Sequence, residues 1–259
     1  MEKIIIGLIL ILASSNGLTQ QAHLYSGNAG RGQVESIQEK QLEYLDSLYV
    51  YQTGADDALI NGRDYIRYFF NSSDNPLLRF NEGRSASVIF NGRRFNGLVL
   101  NYDTYTDQVI YSDNNLILNN KVCEVALNSD NVSRFELYFK YDTLIFRHFR
   151  NEYDSTFNLD DGFFEVVHDG VCKYIIKHVS RLYISDGQDK YPYSPEGYVM
   201  VTDRFVQTGS KRQFIKLFGD RSDEIRQYIH KNRIRFRRAE KNQISDILKF
   251  YESLQPRIG

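Results

Sequence analysis

Tryptophan is absent from these 259 residues, and cysteine is nearly so, with two copies. Two cysteines exclude a disulfide-built scaffold. Cys123 lies beside Val122 and Val125, and Cys172 beside Val171 and Tyr174. Such a pair either forms one bridge in an oxidising compartment or stays as two buried thiols, since a free cysteine packs as a small hydrophobe. The missing indole weakens a carbohydrate-binding reading of the tyrosine-rich segments, in which flat rings stack on sugars; packing in a core is the plainer role for those rings.

The motifs of several chemistries are also missing. There is no G-x-S-x-G elbow, no phosphate loop, no G-x-G-x-x-G fingerprint after a strand, no C-x-x-C, no H-x-H and no H-E-x-x-H. These absences argue against nucleophile-elbow hydrolases, nucleotide binders and metal centres, and predict no cofactor. The five histidines are dispersed at positions 23, 148, 168, 178 and 230. Strand register would bring His178 opposite Asp161, which reads as a solvated strand-end pair rather than a dyad. The acidic pairs Asp56-Asp57 and Asp160-Asp161 suit turns, where Asp bonds its own backbone. A glycosidase pair among dispersed carboxylates stays open, because it is defined in space rather than in sequence.

What is present begins at the N-terminus. Lys3 precedes a nine-residue apolar run, Ile4–Leu12, followed by Ala13, Ser14, Ser15, Asn16 and Gly17. That is the outline of a secretory leader, spanning residues 1–19 with cleavage between Ser15 and Gln20. The run falls short of the roughly 20 residues that span a bilayer. The expectation is an exported, soluble mature chain, periplasmic, secreted or outer-membrane associated, with no transmembrane span. Residues 20–57 read as a lead-in and an amphipathic helix from Gln33 to Tyr49, with Val34, Ile37, Leu45 and Leu48 at helical spacing.

From 58 to 207 the pattern is β. Short runs of Val, Ile, Phe, Tyr and Leu alternate with Asn, Asp and Gly bends, and the links are too short for parallel crossovers, so an antiparallel meander is expected. It can be an open curved sheet, a sandwich or a barrel. Asn91-Gly92 marks a two-residue hairpin pairing Val88 with Phe95. Asp169-Gly170 marks another, pairing Phe164 with Ile175 and Glu165 with Tyr174. Asp186 to Gly197, with Pro192 and Pro195, reads as a loop. Residues 208–259 form a basic helical segment packed on the β domain: one helix capped by Ser210, one by Asp220 or Ser222, and one over about Ala239 to Leu254 with Ile244, Ile247, Leu248 and Tyr251 on one face. The fold class is α+β, mainly β.

The formal net charge of −1 hides a split. Residues 204–259 hold 14 Lys/Arg and 6 Asp/Glu, a net of +8, which leaves −9 for residues 1–203. The basic run Lys231, Arg233, Arg235, Arg237, Arg238 and Lys241 is the candidate anion- or partner-binding site. As a strand, Arg233–Arg237 would point arginines one way and Ile234 and Phe236 the other. Export argues against nucleic acid; the partners that suit the run are acidic glycans, lipid phosphates or an envelope protein. The plain alternative is a solvated face that complements the acidic β domain.

Three stretches carry a resemblance: Phe90-Asn91-Gly92-Arg93-Arg94-Phe95-Asn96-Gly97-Leu98-Val99-Leu100-Asn101-Tyr102-Asp103, Gly162-Phe163-Phe164-Glu165, and Ser210-Lys211-Arg212-Gln213-Phe214 with its basic helical tail. Together with the leader they resemble uncharacterised exported proteins of Gram-negative bacteria. The resemblance implies a periplasmic or envelope setting and carries no activity, cofactor or site residue. The expected function is therefore a non-enzymatic binding or envelope-associated module, with an envelope hydrolase acting on glycans or esters as the alternative.

Overall fold

The computed structural model describes residues 59, 62–69, 72, 74–79, 85–118, 121–150, 159–202 and 204–255. The expected leader and the Gln33–Tyr49 helix lie outside them. Thirteen strands are described: β1 (Arg63–Asp64), β2 (Ser85–Phe90), β3 (Arg93–Asp103), β4 (Gln108–Leu118), β5 (Lys121–Ala126), β6 (Val132–Tyr138), β7 (Thr143–Phe149), β8 (Gly162–Asp169), β9 (Lys173–Lys177), β10 (Tyr183–Ser185), β11 (Gln188–Lys190), β12 (Glu196–Met200) and β13 (Phe205–Gln207). Three helices follow: α1 (Lys211–Lys216), α2 (Ser222–Lys231) and α3 (Lys241–Ser253). The class is mainly antiparallel β with helices, the last at the C-terminus.

Eleven strands form one sheet in the order β1-β5-β4-β3-β2-β6-β7-β8-β9-β12-β13, and β10 pairs with β11 alone. Asn91 and Gly92 both take positive φ, 50° and 77°, and put Val88 opposite Phe95 as the Asn-Gly signal predicts. From this central hairpin β3, β4 and β5 step outwards on one side. A 3₁₀ turn at Ser129–Asn131, in which the Asn128 side chain accepts from the Asp130 N–H, returns the chain to β6 on the other side of β2.

The sheet is open but strongly curled. Tyr102 on β3 packs against Phe135 on β6, Phe146 on β7 and Phe163 on β8, with ring centroids 5.4, 5.1 and 6.3 Å apart. In a flat sheet β3 and β8 would lie four strand spacings apart, roughly 19 Å at about 4.8 Å each. Polar contacts hold the curl: Asp107, in the turn after β3, accepts from the Tyr102 hydroxyl at 2.5 Å and pairs with Lys177 at the end of β9. Gly162 lies against this pair with φ 144°, and a Cβ there would overlap both the Lys177 Nζ and the Asp107 carboxylate.

The helices cover the end of the sheet. Tyr174 and Ile176, alternate residues of β9, join Val199, Phe214, Phe218, Ile225, Ile229, Ile244, Ile247 and Leu248 in one buried cluster. Ile175, pointing the other way, packs with Phe164, Met200 and Phe205. Strand β9 is thus buried on both faces. Cys172 belongs to the helical cluster, and Cys123 and Cys172 are both free thiols.

Four expectations are corrected. The Asp169-Gly170 hairpin has Glu165 opposite Ile176, Val166 opposite Ile175, His168 opposite Tyr174 and Asp169 opposite Lys173, with an irregularity between Val166 and His168. The loop is three residues, not two, because the Cys172 N–H is held by the Glu252 carboxylate of α3 at 2.8 Å while its side chain is buried under the helices. Within the span read as a loop, Asp186 and Gly187 take φ 54° and 72° and close the β10–β11 hairpin. The run Arg233–Arg237 is no strand: Arg233 takes φ 53° after α2, the Ile234 N–H bonds the Ile229 carbonyl, and Phe236–Arg238 is a 3₁₀ turn. That is a Schellman-type stop, with Ile234 buried beneath it. Last, the helix expected to be capped by Asp220 or Ser222 has Arg221 at that position; the Ser222 hydroxyl instead donates to the Ile215 and Gly219 carbonyls.

Candidate functional site

The chemistry collects where the helical segment meets the edge of the curled sheet. On β8, Glu165 points to the helix side, as does its cross-strand partner Ile176 on β9. His178 lies two residues past Ile176, so it returns to the same face and reaches Glu165 diagonally. The His178 Nε2 to Glu165 Oε2 distance is 2.8 Å, and both side chains are buried. On the other ring nitrogen, His178 Nδ1 is 2.5 Å from the Tyr193 hydroxyl. Tyr193 is brought there because its segment runs antiparallel to the chain after β9, with a Ser180–Tyr193 bridge and a Ser194 N–H to Val179 carbonyl bond of 2.7 Å.

The second Glu165 oxygen accepts from Lys241 Nζ at 2.6 Å, and Lys241 also reaches Asp142 at 3.0 Å. Asp142 pairs in turn with Arg79 at 3.2 Å. Lys241 is the first residue of α3, whose start is set by a capping box between Glu240 and Gln243. Five polar side chains from separated segments therefore form one chain of contacts: Tyr193, His178, Glu165, Lys241 and Asp142, with Arg79 at its end.

Burial pushes the Glu165 carboxyl up, but hydrogen bonds from His178 and Lys241 and their charges outweigh it and hold it below the ordinary carboxylate range. Asp142 is held down in the same way by Lys241 and Arg79 against its own burial. An ionised Glu165 only accepts, so the proton on the His178–Glu165 bond sits on Nε2; the Nδ1–Tyr193 bond runs from the Tyr193 O–H when the ring carries no second proton and from Nδ1–H when it does. Partial burial and the Glu165 charge push the Tyr193 hydroxyl up to about 12.

Of this chain of contacts Tyr193, His178, Glu165, Lys241 and Arg79, but not Asp142, line a cavity of about 780 Å³, lined also by Arg237, Tyr174, Phe236, Gln207, Thr208 and Glu196. Arg79, His178 and Tyr193 also line a neighbouring cavity of about 330 Å³. Of the basic run, Arg237 and Lys241 line the larger cavity; Lys231, Arg233, Arg235 and Arg238 are exposed and do not. Lys241 is committed to carboxylates, whereas Arg237 has no carboxylate partner among the described residues.

His178 does not meet Asp161. Asp161 bonds His148 at 2.8 Å, and the two-residue change in register puts His178 within reach of Glu165 instead. Asp103, fully buried, is structural: it accepts from Tyr65 and Tyr68 hydroxyls at 2.8 and 2.7 Å and from the backbone N–H groups of Tyr105 and Thr106. Among the described residues no group of three or more His, Cys, Asp or Glu is placed to hold a metal ion, and no helix is long and apolar enough to cross a membrane. Reading the sequence missed Glu165, His178, Tyr193 and Arg79 as a group. The one available signal was the alternation Tyr174, Ile176, His178, which puts His178 on the face of Tyr174.

No protein-family model matches this chain, and neither the curated proteins nor the solved structures give a match.

Proposed function

We propose that this protein is a binding module of the cell envelope or its exterior, and that its ligand is an acidic glycan held in the cavity between the sheet and the basic C-terminal segment. The observation that carries this reading is the lining of one 780 Å³ cavity by the cations Arg79, Arg237 and Lys241 together with the rings of Tyr174, Tyr193 and Phe236. A volume of that size suits a short oligosaccharide. Guanidinium groups bind carboxylates in charge-assisted pairs, and ring faces cover the apolar C–H face of a sugar. Gln207 and Thr208 add neutral hydrogen-bonding groups. The envelope setting is supported by the leader-like N-terminal segment.

A hydrolase working through a carboxyl pair is less favoured by the same cavity. Such an enzyme needs one carboxyl kept protonated as general acid. Burial pushes both Glu165 and Glu196, the carboxylates of the lining, upward, but their hydrogen-bond partners outweigh it: His178 and Lys241 hold Glu165 low, and Arg181 and Tyr198 hold Glu196 low.

Calorimetric titration with oligogalacturonate, a neutral gluco-oligosaccharide and vesicles of anionic phospholipid tests the proposal. Oligogalacturonate binding lost on Arg237→Glu, but kept on Arg235→Glu and Arg238→Glu, supports it. Equal binding of the neutral sugar, binding of vesicles alone, or equal effects of all three substitutions would reject the cavity as the acidic-glycan site.

A further inference from the structure

We propose that Tyr193, backed by His178 and Glu165, is a catalytic acid–base group that cleaves a uronic-acid-containing glycan by β-elimination. The proposal rests on the acidic-glycan reading of the cavity and adds a reaction to it.

The geometry is a hydroxyl, an imidazole and a carboxylate in series, at 2.5 and 2.8 Å. Its members differ in access. Glu165 and His178 are buried, so neither is exposed for contact with a polymer, whereas Tyr193 is 50% exposed and lines both cavities. Tyr193 is the group that touches substrate, and His178 and Glu165 act through it as positioning residues. The charged and titratable groups around His178 are Glu165 from β8, Tyr193, Lys241 of α3 through Glu165, and Arg79, Glu196 and Arg237 in the same cavity lining.

Elimination fits this set better than hydrolysis does. It needs no carboxylic acid, no activated water and no redox partner. It needs a cation to neutralise the uronate carboxylate, which makes the neighbouring C–H acidic, and a base and an acid beside that carbon. Arg237 is the cation available in the lining. The steps balance as follows. The Tyr193 proton moves to His178 Nδ1, and the imidazolium is stabilised by the Glu165 carboxylate. The Tyr193 oxygen takes the C5 proton of the uronate, and the electron pair left on carbon is delocalised into the carboxylate facing Arg237. That pair forms the C4=C5 double bond as the C4–O4 bond breaks, and the Tyr193 O–H protonates the departing O4. The imidazolium then returns its proton to Tyr193. The products are one saturated chain end with a free hydroxyl and one unsaturated uronate end. A phenol that burial has made hard to ionise is protonated at rest and strongly basic once its proton has moved.

The test uses the full chain with 1,4-linked polyglucuronate, in which the C5–H and C4–O4 bonds lie on one face of the ring so that a single group reaches both, following the ultraviolet absorbance of the unsaturated end, alongside binding of oligoglucuronate. The expected result is absorbance growing with time, reduced at least ~100-fold by Tyr193→Phe, with oligosaccharide binding retained. His178→Gln should lower kcat with KM little changed, as expected of a positioning residue that does not touch substrate. Binding without any absorbance change in the wild type, or equal turnover by Tyr193→Phe, overturns the catalytic proposal and leaves the binding function standing. Absence of both binding and turnover overturns the two together. Should Tyr193→Phe lose its fold, judged by circular dichroism, Tyr193→Gln, which keeps a hydrogen-bonding group for His178 but no acid–base group, takes its place with the same expectation for turnover.

Discussion

Glu165 and Lys241, 76 residues apart in the chain, meet at 2.6 Å and tie the basic C-terminal segment to the sheet. The Glu165 side chain is only 4% exposed, so its charge depends on its two partners. The split in charge along the chain is thus resolved in part by a buried contact and not only by long-range attraction. Most of the attachment is apolar, through Tyr174, Ile176 and Val199 under the helices.

Lys241→Met should destabilise the protein by about 3 kcal/mol, because it leaves Glu165 buried with one partner fewer. Urea unfolding measures this. Adding Glu165→Gln should recover part of the loss, since contacting residues are not additive. Strict additivity would show that the contact carries no coupling.

Stability should fall in acid through this site. Burial alone would raise the Glu165 pKa, but His178 and Lys241 bring its folded value below the ordinary 4.5, so in that window the unfolded chain binds more protons than the folded one. The contribution is therefore complete above pH 4.5 and is lost as pH drops through the lower folded value. Asp142, held below 3.8, acts in the same direction. Glu165→Gln should flatten that part of the stability–pH curve measured by thermal melts; an unchanged curve would remove Glu165 from the linkage.

Gly162→Ala should be among the costlier glycine substitutions. Its φ of 144° is reached readily by glycine alone, and the added methyl would displace the Asp107–Lys177 pair that holds the curl. A loss of about 2 kcal/mol or more is expected from strain plus the broken contact. Gly92→Ala, where nothing lies within 4 Å of the new methyl, should cost only the αL penalty of about 1 kcal/mol. Paired denaturation curves test the order.

The two thiols should differ sharply. Burial, with Glu252 adding to it, pushes Cys172 up to about 12, and its side chain is fully buried, so it is neither ionised nor accessible. Cys123 is half-buried on β5. Iodoacetamide should label Cys123 first in the native protein and both residues in urea. No labelling in urea without a reductant would show a disulfide instead.

Much of the sheet was legible because its signals are local. Asn91-Gly92 requires two positive-φ residues and so pins Val88 to Phe95. The apolar run in Thr143–Phe149, one of the short runs that mark the β region, coincides with β7. The faces of α3 follow from Ile244, Ile247 and Leu248. The register after Asp169 was not legible, because Glu252, 80 residues after Cys172, shapes that loop. The same slip concealed the His178–Glu165 contact.

Turn chemistry and side-chain period were sufficient by themselves to place most of the strands, their antiparallel sense and the C-terminal helices, since each depends on neighbours a few residues away; they did not reveal the β10–β11 hairpin or the return from β5 to β6 beside β2. The tertiary structure alone decided that the sheet stays open yet curls until Tyr102 meets Phe163, and that Arg237 and Lys241 join Arg79, His178 and Tyr193 around one cavity. Those outcomes depend on sheet twist and on burial of the helical face against β9, and such contacts between distant segments leave no spacing in the chain to be read.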